Sequence, residues 1–264
     1  MSKTGRIFLL IVISIILAAI IAVPLIWPTV WAWMGVLFFF TVLLMVMGAG
    51  TTGSPFGALI NEHNLMSLSR FQAVVWTLVI LSSYFVIVAA RIKGGAPNPL
   101  VVDIDPQLLM LMGIAATSLV GAPLVNTSKL SQTPAQTVPQ ATIDALAANQ
   151  NLPDSTQGPA LLAAITQAGK GILYSNPKVS DASIWDMFEG DELGNTASMD
   201  FGKVQMFYFT LIVVISYIYC LWPLLRNASA VSSLPVIPPG MVALLGISNA
   251  GYLGNKAVTH TPTQ

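Results

Sequence analysis

An all-α, polytopic membrane protein with about six transmembrane helices follows from composition, from the length of the apolar runs, and from a tandem parallel repeat of a two-helix unit. Of the 264 residues, 55% are hydrophobic and only 8% are charged, far outside the balance of a soluble domain. A hydrocarbon core about 30 Å thick takes roughly 20 helical residues, and uncharged runs of that length recur along the chain. The stretch 70–84 returns 133 positions later as 203–217, with the basic residue, Gln, Thr-Leu and Ser-Tyr in register. The same offset carries Pro106 to Pro239, Gly113-Ile114 to Gly246-Ile247, and Gly121 to Gly254. Apolar segments match easily by chance. The matched Gln, Thr, Ser, Tyr, Gly and Pro are what hydrophobicity does not demand.

Charge and side-chain inventory narrow the function classes. Net charge is zero, so nucleic acid is not an expected partner. Cys220 is the one cysteine, which rules out an intramolecular disulfide. His63 and His260 lack neighbours at metal-ligand spacing. No nucleophile–base pair, phosphate loop or metal constellation is visible. The sequence therefore predicts no enzyme and no cofactor.

The first apolar run follows Lys3 and Arg6 and extends to about Trp27. It is too long for a usual signal-peptide core and a second run follows at once, so it is expected to be retained as a span. Pro24 and Pro28 mark a tight turn before that second run, and Trp27, Trp31 and Trp33 gather there as aromatics do at a headgroup boundary. Residues 1–50 are thus an N-terminal transmembrane hairpin. Repeat 1 covers 51–125 with spans 3 and 4, a partly disordered cytoplasmic insert covers 126–200, and repeat 2 covers 201–264 with spans 5 and 6.

Each repeat opens on a capping residue, Ser67 or Asp200, followed three positions later by Arg70 or Lys203. In the first helix of each repeat Gln72 and Ser83 share a face, as do Gln205 and Ser216. Thr77 and Tyr84 form a neighbouring stripe, repeated by Thr210 and Tyr217. These side chains read either as interhelical hydrogen bonds, worth about 1 kcal/mol or less per contact, or as the polar lining of a pore. In the second helix, Gly113, Thr117 and Gly121 become Gly246, Ala250 and Gly254. Small residues at every fourth position let a neighbouring backbone approach, so close helix packing is the expected role. The run 246–249 also leaves open a broken, ion-coordinating helix.

Within the insert, 126–158 reads as mobile, and 142–150 and 159–169 as short helices. Ile184, Trp185 and Phe188 can share one helical face beside several carboxylates. Those carboxylates lack the alternating order of an EF-hand and read as a solvated acidic face. The apolar trio reads as a docking element for a cytoplasmic protein partner or the membrane surface, with Trp185 as anchor.

With both termini and the insert cytoplasmic, Lys3, Arg6, Arg70, Lys129, Lys203 and Lys256 fall inside, and Arg91, Lys93 and Arg226 outside. No predicted span contains a charge, which disfavours ion-coupled transport. The motifs 67–72 with Trp76-Thr77, 190–195 ahead of 203–205, and 244–248 resemble an uncharacterised family of bacterial multi-pass membrane proteins. That resemblance covers roughly 61–258; it implies a bacterial inner-membrane location and no particular activity. Two functional expectations remain. One is a non-catalytic membrane subunit, anchor or scaffold, embedded in the lipid bilayer as a homo-oligomer or complex subunit. The other is a passive oligomeric channel for ions or small polar solutes.

Overall fold

The computed structural model describes residues 3–148 and 171–264. Among them are seven α-helices: α1 Lys3–Ile26, α2 Thr29–Thr52, α3 Leu68–Lys93, α4 Pro106–Leu130, α5 Val138–Ala148, α6 Phe201–Arg226 and α7 Pro239–Ala257. The described residues form isolated bridges but no strand. Five helices, α1 to α4 and α6, are long and apolar enough to cross a membrane. The sixth expected span, α7, is outside that set. It has 19 residues, and Ser248, Asn249, Asn255 and Lys256 dilute its apolar character.

Helix boundaries follow local chemistry. Pro28 stands just before α2, where a missing N–H costs no helical bond. Gly53 ends α2 in the left-handed conformation (φ 81°), its amide donating to Ala49 O, as glycine C-caps do. Asp105 precedes Pro106 and accepts the Gln107 amide at 2.8 Å. The bounds of α3 and α6 coincide at the 133-residue offset, and α4 and α7 both begin on the offset-related prolines.

The chain divides into two compact units. The first holds residues 1–58, 72–113 and 210–243. Here α1 and α2 pack so closely that a Cβ on Gly35 would stand 2.9 Å from Val23 Cγ1. Trp33 is buried and its indole N–H donates to Ser82 Oγ at 3.1 Å. Trp76 meets the Tyr217 ring edge-on, centroids 6.0 Å apart. The connections after α3 and α6 join through Asp103, whose amide donates to Ser232 O and whose carbonyl accepts from the Leu234 amide.

The second unit holds 59–71, 114–209 and 244–264. One apolar cluster joins Leu65, Tyr174 and Leu193 to Val138, Ile143 and Leu146 of α5. Another packs Met187 among Leu68, Ala122, Met206 and Tyr252, at the ends of α3, α4, α6 and α7. The short helix expected at 142–150 is α5, Val138–Ala148, so part of the stretch expected to be mobile is ordered, because Ile143 and Leu146 have a core to enter. The helix expected at 159–169 lies outside the described residues.

Candidate functional site, a buried ion node

The densest polar feature belongs to the second unit and is built on the turn Gly190-Asp191-Glu192-Leu193-Gly194-Asn195. Asn195 folds back so that its Oδ1 accepts the Glu192 amide at 3.0 Å. A Cβ on Gly190 would fall 2.1 Å from that same oxygen, so a side chain there would collide with the turn. Leu193 anchors the turn in the α5 cluster, and the Tyr174 amide holds the Asp191 carbonyl at 3.0 Å. So fixed, the two carboxylates meet three lysines from three helix ends.

Lys129, in the last turn of α4, pairs with Glu192 and also donates to Lys256 O at 2.5 Å and Val258 O at 2.8 Å. An ammonium has three donors, and all three are used. The second Glu192 oxygen accepts the His260 and Thr261 amides at 2.8 and 2.9 Å, which ties the segment after α7 to the turn. Lys203, in the first turn of α6, reaches Asp191 Oδ1 at 2.8 Å, Asp186 O at 3.3 Å and the Glu189 carbonyl. Lys256, near the end of α7, holds the other Asp191 oxygen and lies over the Tyr252 ring.

Lys129 and Lys256 sit at helix C-termini, where the macrodipole favours cations. Lys203 sits at an N-terminus, where it is disfavoured, and the surrounding acceptors offset that. Burial alone would push the Asp191 carboxyl up; Lys203 and Lys256 outweigh it and hold the group well below the usual carboxylate range. Asp186 is the opposite case. Burial pushes it up to about 6, against the amides of Met66 and Ser183 and the Lys203 charge.

The expectation of a solvated acidic face is thus corrected: Glu192 is 1% exposed, Asp191 and Glu192 are spent on helix-end lysines, and the Asp186 carboxylate accepts the Met66 and Ser183 amides. Both Lys129 and Lys203 thus have all three donors used. Among the described residues no group of three or more His, Cys, Asp or Glu is placed to hold a metal ion.

The other candidate residues are distributed as follows. Gln72 and Thr210 come together, the Gln72 amide nitrogen bonding the Thr210 hydroxyl in a buried contact. Ser83 is buried and donates to the carbonyls of its own helix, Val79 and Ile80. Tyr84 donates to Leu100 O at 3.1 Å. Thr77, Gln205 and Ser216 are exposed, while Tyr217 is buried against Trp76. The two polar faces are therefore not used alike: α3 turns the Gln72, Trp76, Val79 and Ser83 side inward, whereas α6 buries Met206, Thr210, Val213, Tyr217 and Leu221.

Of the small residues, Gly121 and Gly246 face neighbours within the unit, with an added Cβ 3.4 Å from Leu253 and 3.6 Å from Ile114. Among the described residues, Cβ atoms on Gly113 and Gly254 would meet nothing within 4 Å, and Thr117 and Ala250 are exposed. Around 246–249 the helix is continuous, with Asn249 donating to Leu245 O and joined to Ser118. The apolar trio is split. Ile184 and Trp185 are 57% and 65% exposed, but Phe188 stacks edge-on with Phe207 at 5.1 Å.

Sequence reasoning missed the node. Its trace is a lysine near the end of each of three apolar helices together with the Gly-Asp-Glu-Leu-Gly-Asn turn, and the pairing between them is long-range. No protein-family model matches the chain, and no curated protein or solved structure matches it. The resemblance to a bacterial membrane family rests on the short motifs alone.

Proposed function

We propose that this chain is a non-catalytic membrane subunit or scaffold whose extramembrane head is held rigidly on the ends of its helices. The observation that carries the reading is the Lys129–Glu192 and Asp191–Lys203/Lys256 node, in which charges are spent on fixing a turn and the residues after α7. A catalytic or transport site keeps reactive groups available; these are saturated. On this reading α7 is a sixth span and the α3–α4 and α6–α7 segments descend from one two-helix unit. The membrane is a bacterial inner membrane with head and termini cytoplasmic, and the chain works as a homo-oligomer or complex subunit. Ile184 and Trp185 are the exposed apolar pair through which the head engages a soluble protein partner, Phe188 being used in packing.

A second reading, the passive channel, draws support from one observation: among the described residues, Gln72 Oε1 and Tyr217 Oη are buried without a hydrogen-bond partner. Water or a permeant solute would satisfy them in a conduit. Flux measurements in liposomes separate the two. The scaffold reading expects no ion or small-solute flux from the purified protein, and expects Ile184→Ser with Trp185→Ser to release a defined partner from native membranes. A selective flux that Gln72→Leu abolishes would replace it with the channel.

A further inference from the structure

The first unit contains a pocket that the scaffold reading does not use. It has a volume of about 270 Å³, with an apolar floor of Ala32, Val86 and Ala90, and a mouth that includes Thr29, Lys93 and Arg226. Next to it lies a second pocket of about 360 Å³, which shares Thr29 and Arg226 and is walled by the indoles of Trp31 and Trp222. Arg226 therefore stands between a polar recess and an aromatic one.

Charge at this place is unbalanced. Among the described residues no carboxylate lines either pocket. Lys93 is engaged, donating to Pro24 O at 3.3 Å and Leu25 O at 3.2 Å, where α1 ends. Arg91 donates to Val231 O and Asn98 O. Among the described residues Arg226 has neither an ion-pair nor a hydrogen-bond partner. Three helix C-termini converge here and their dipoles would oppose an anion. Several of their terminal carbonyls, however, already have donors. Gly94, Gly95 and Ala96 amides cover the end of α3, the Asn227 amide covers Leu224 O, and Trp27 and Lys93 cover the end of α1. Two full cations stand against partly capped helix ends and outweigh their partial charges, with the α2 N-terminus at Thr29 adding to them.

Position decides the ligand class. Arg226 closes a helix apolar enough to span a membrane, and exposed Trp31 and Trp27 lie at the same α1–α2 turn, where indoles mark the headgroup level. A guanidinium matches phosphate oxygens with a fork of donors. The adjoining indole walls suit the glycerol and first acyl carbons of the same molecule. We propose that this double pocket binds one anionic phospholipid, its phosphate held between Arg226 and Lys93 and its apolar body along Trp31 and Trp222.

The test is native mass spectrometry of the full chain released from nanodiscs of phosphatidylglycerol or of phosphatidylcholine, with inorganic phosphate as a separate addition. The proposal expects one phosphatidylglycerol retained per chain and weaker retention of phosphatidylcholine. Arg226→Gln should weaken retention at least about tenfold, since a hydrogen bond to a charged group is worth that much or more, and Arg226→Lys should restore part of it. Because Arg226 has no ion-pair or hydrogen-bond partner among the described residues, the Arg226→Gln protein should keep its melting temperature in lipid-free detergent. Equal retention by Arg226→Gln and wild type would overturn the site. Binding of inorganic phosphate with no retained phosphatidylglycerol would overturn the lipid as its source.

Discussion

Lys129 and Glu192, 63 positions apart in the chain, form an ion pair whose side chains retain only 3% and 2% of their exposure. Removing one member leaves the other charged and buried, which costs about 3–5 kcal/mol. Lys129→Met should destabilise the detergent-solubilised protein by that order. Adding Glu192→Gln to the same chain should recover part of the loss, because the amide carries no charge and still accepts the His260 and Thr261 amides. Thermal unfolding of the single and double variants checks both.

The five long apolar helices were legible because they depend on local signals. Apolar run length, prolines at helix starts and the register of Gln, Thr and Ser-Tyr led to α1 to α4 and α6 and to the shared bounds of α3 and α6. The node was not legible, because Asp191 and Glu192 look like any solvated pair until three distant lysines converge on them. The different rotation of α3 and α6 was hidden for a similar reason. Gln72 and Gln205 occupy equivalent positions, but which face is buried depends on neighbouring helices: Gln72 is buried against Thr210 and Gln205 is exposed.

Two carboxylates give opposite pH responses. Asp191 is held below its ordinary value, so its contribution is present above the unfolded pKa of about 4 and is lost as pH falls from there. Asp191→Asn should remove that acid sensitivity at the expense of stability at neutral pH. Asp186, pushed up to about 6, binds its proton more tightly when folded, so between about pH 4 and 6 its contribution declines as pH rises. Asp186→Asn keeps an oxygen for the Met66 and Ser183 amides and should be more stable than wild type above pH 6. Melting temperature against pH for the three proteins shows both slopes.

Gly246 and Gly113 are equivalent in sequence and different in surroundings. Gly246→Leu would press on Ile114 and should cost about 1–3 kcal/mol, as overpacking does. Gly113→Leu meets open space and should leave unfolding unchanged. A change in oligomer size for Gly113→Leu, measured by light scattering with detergent correction, would locate a contact between copies on that face.

Gln72→Leu removes one buried hydrogen bond and one buried oxygen without a partner, so the net effect on stability should stay within about 1 kcal/mol. Chemical unfolding in mild detergent measures it. A loss several times larger would mean that Gln72 organises more of the first unit than its bond to Thr210.

Hydrogen exchange of the protein in lipid nanodiscs, wild type against Lys129→Met, tests most directly whether the node holds the head on the helix ends. The account predicts that amides in 190–196 and 258–264 lose protection together in the variant, while those in 72–93 keep theirs. Unchanged protection across 190–196 and 258–264 in a folded Lys129→Met protein would contradict it.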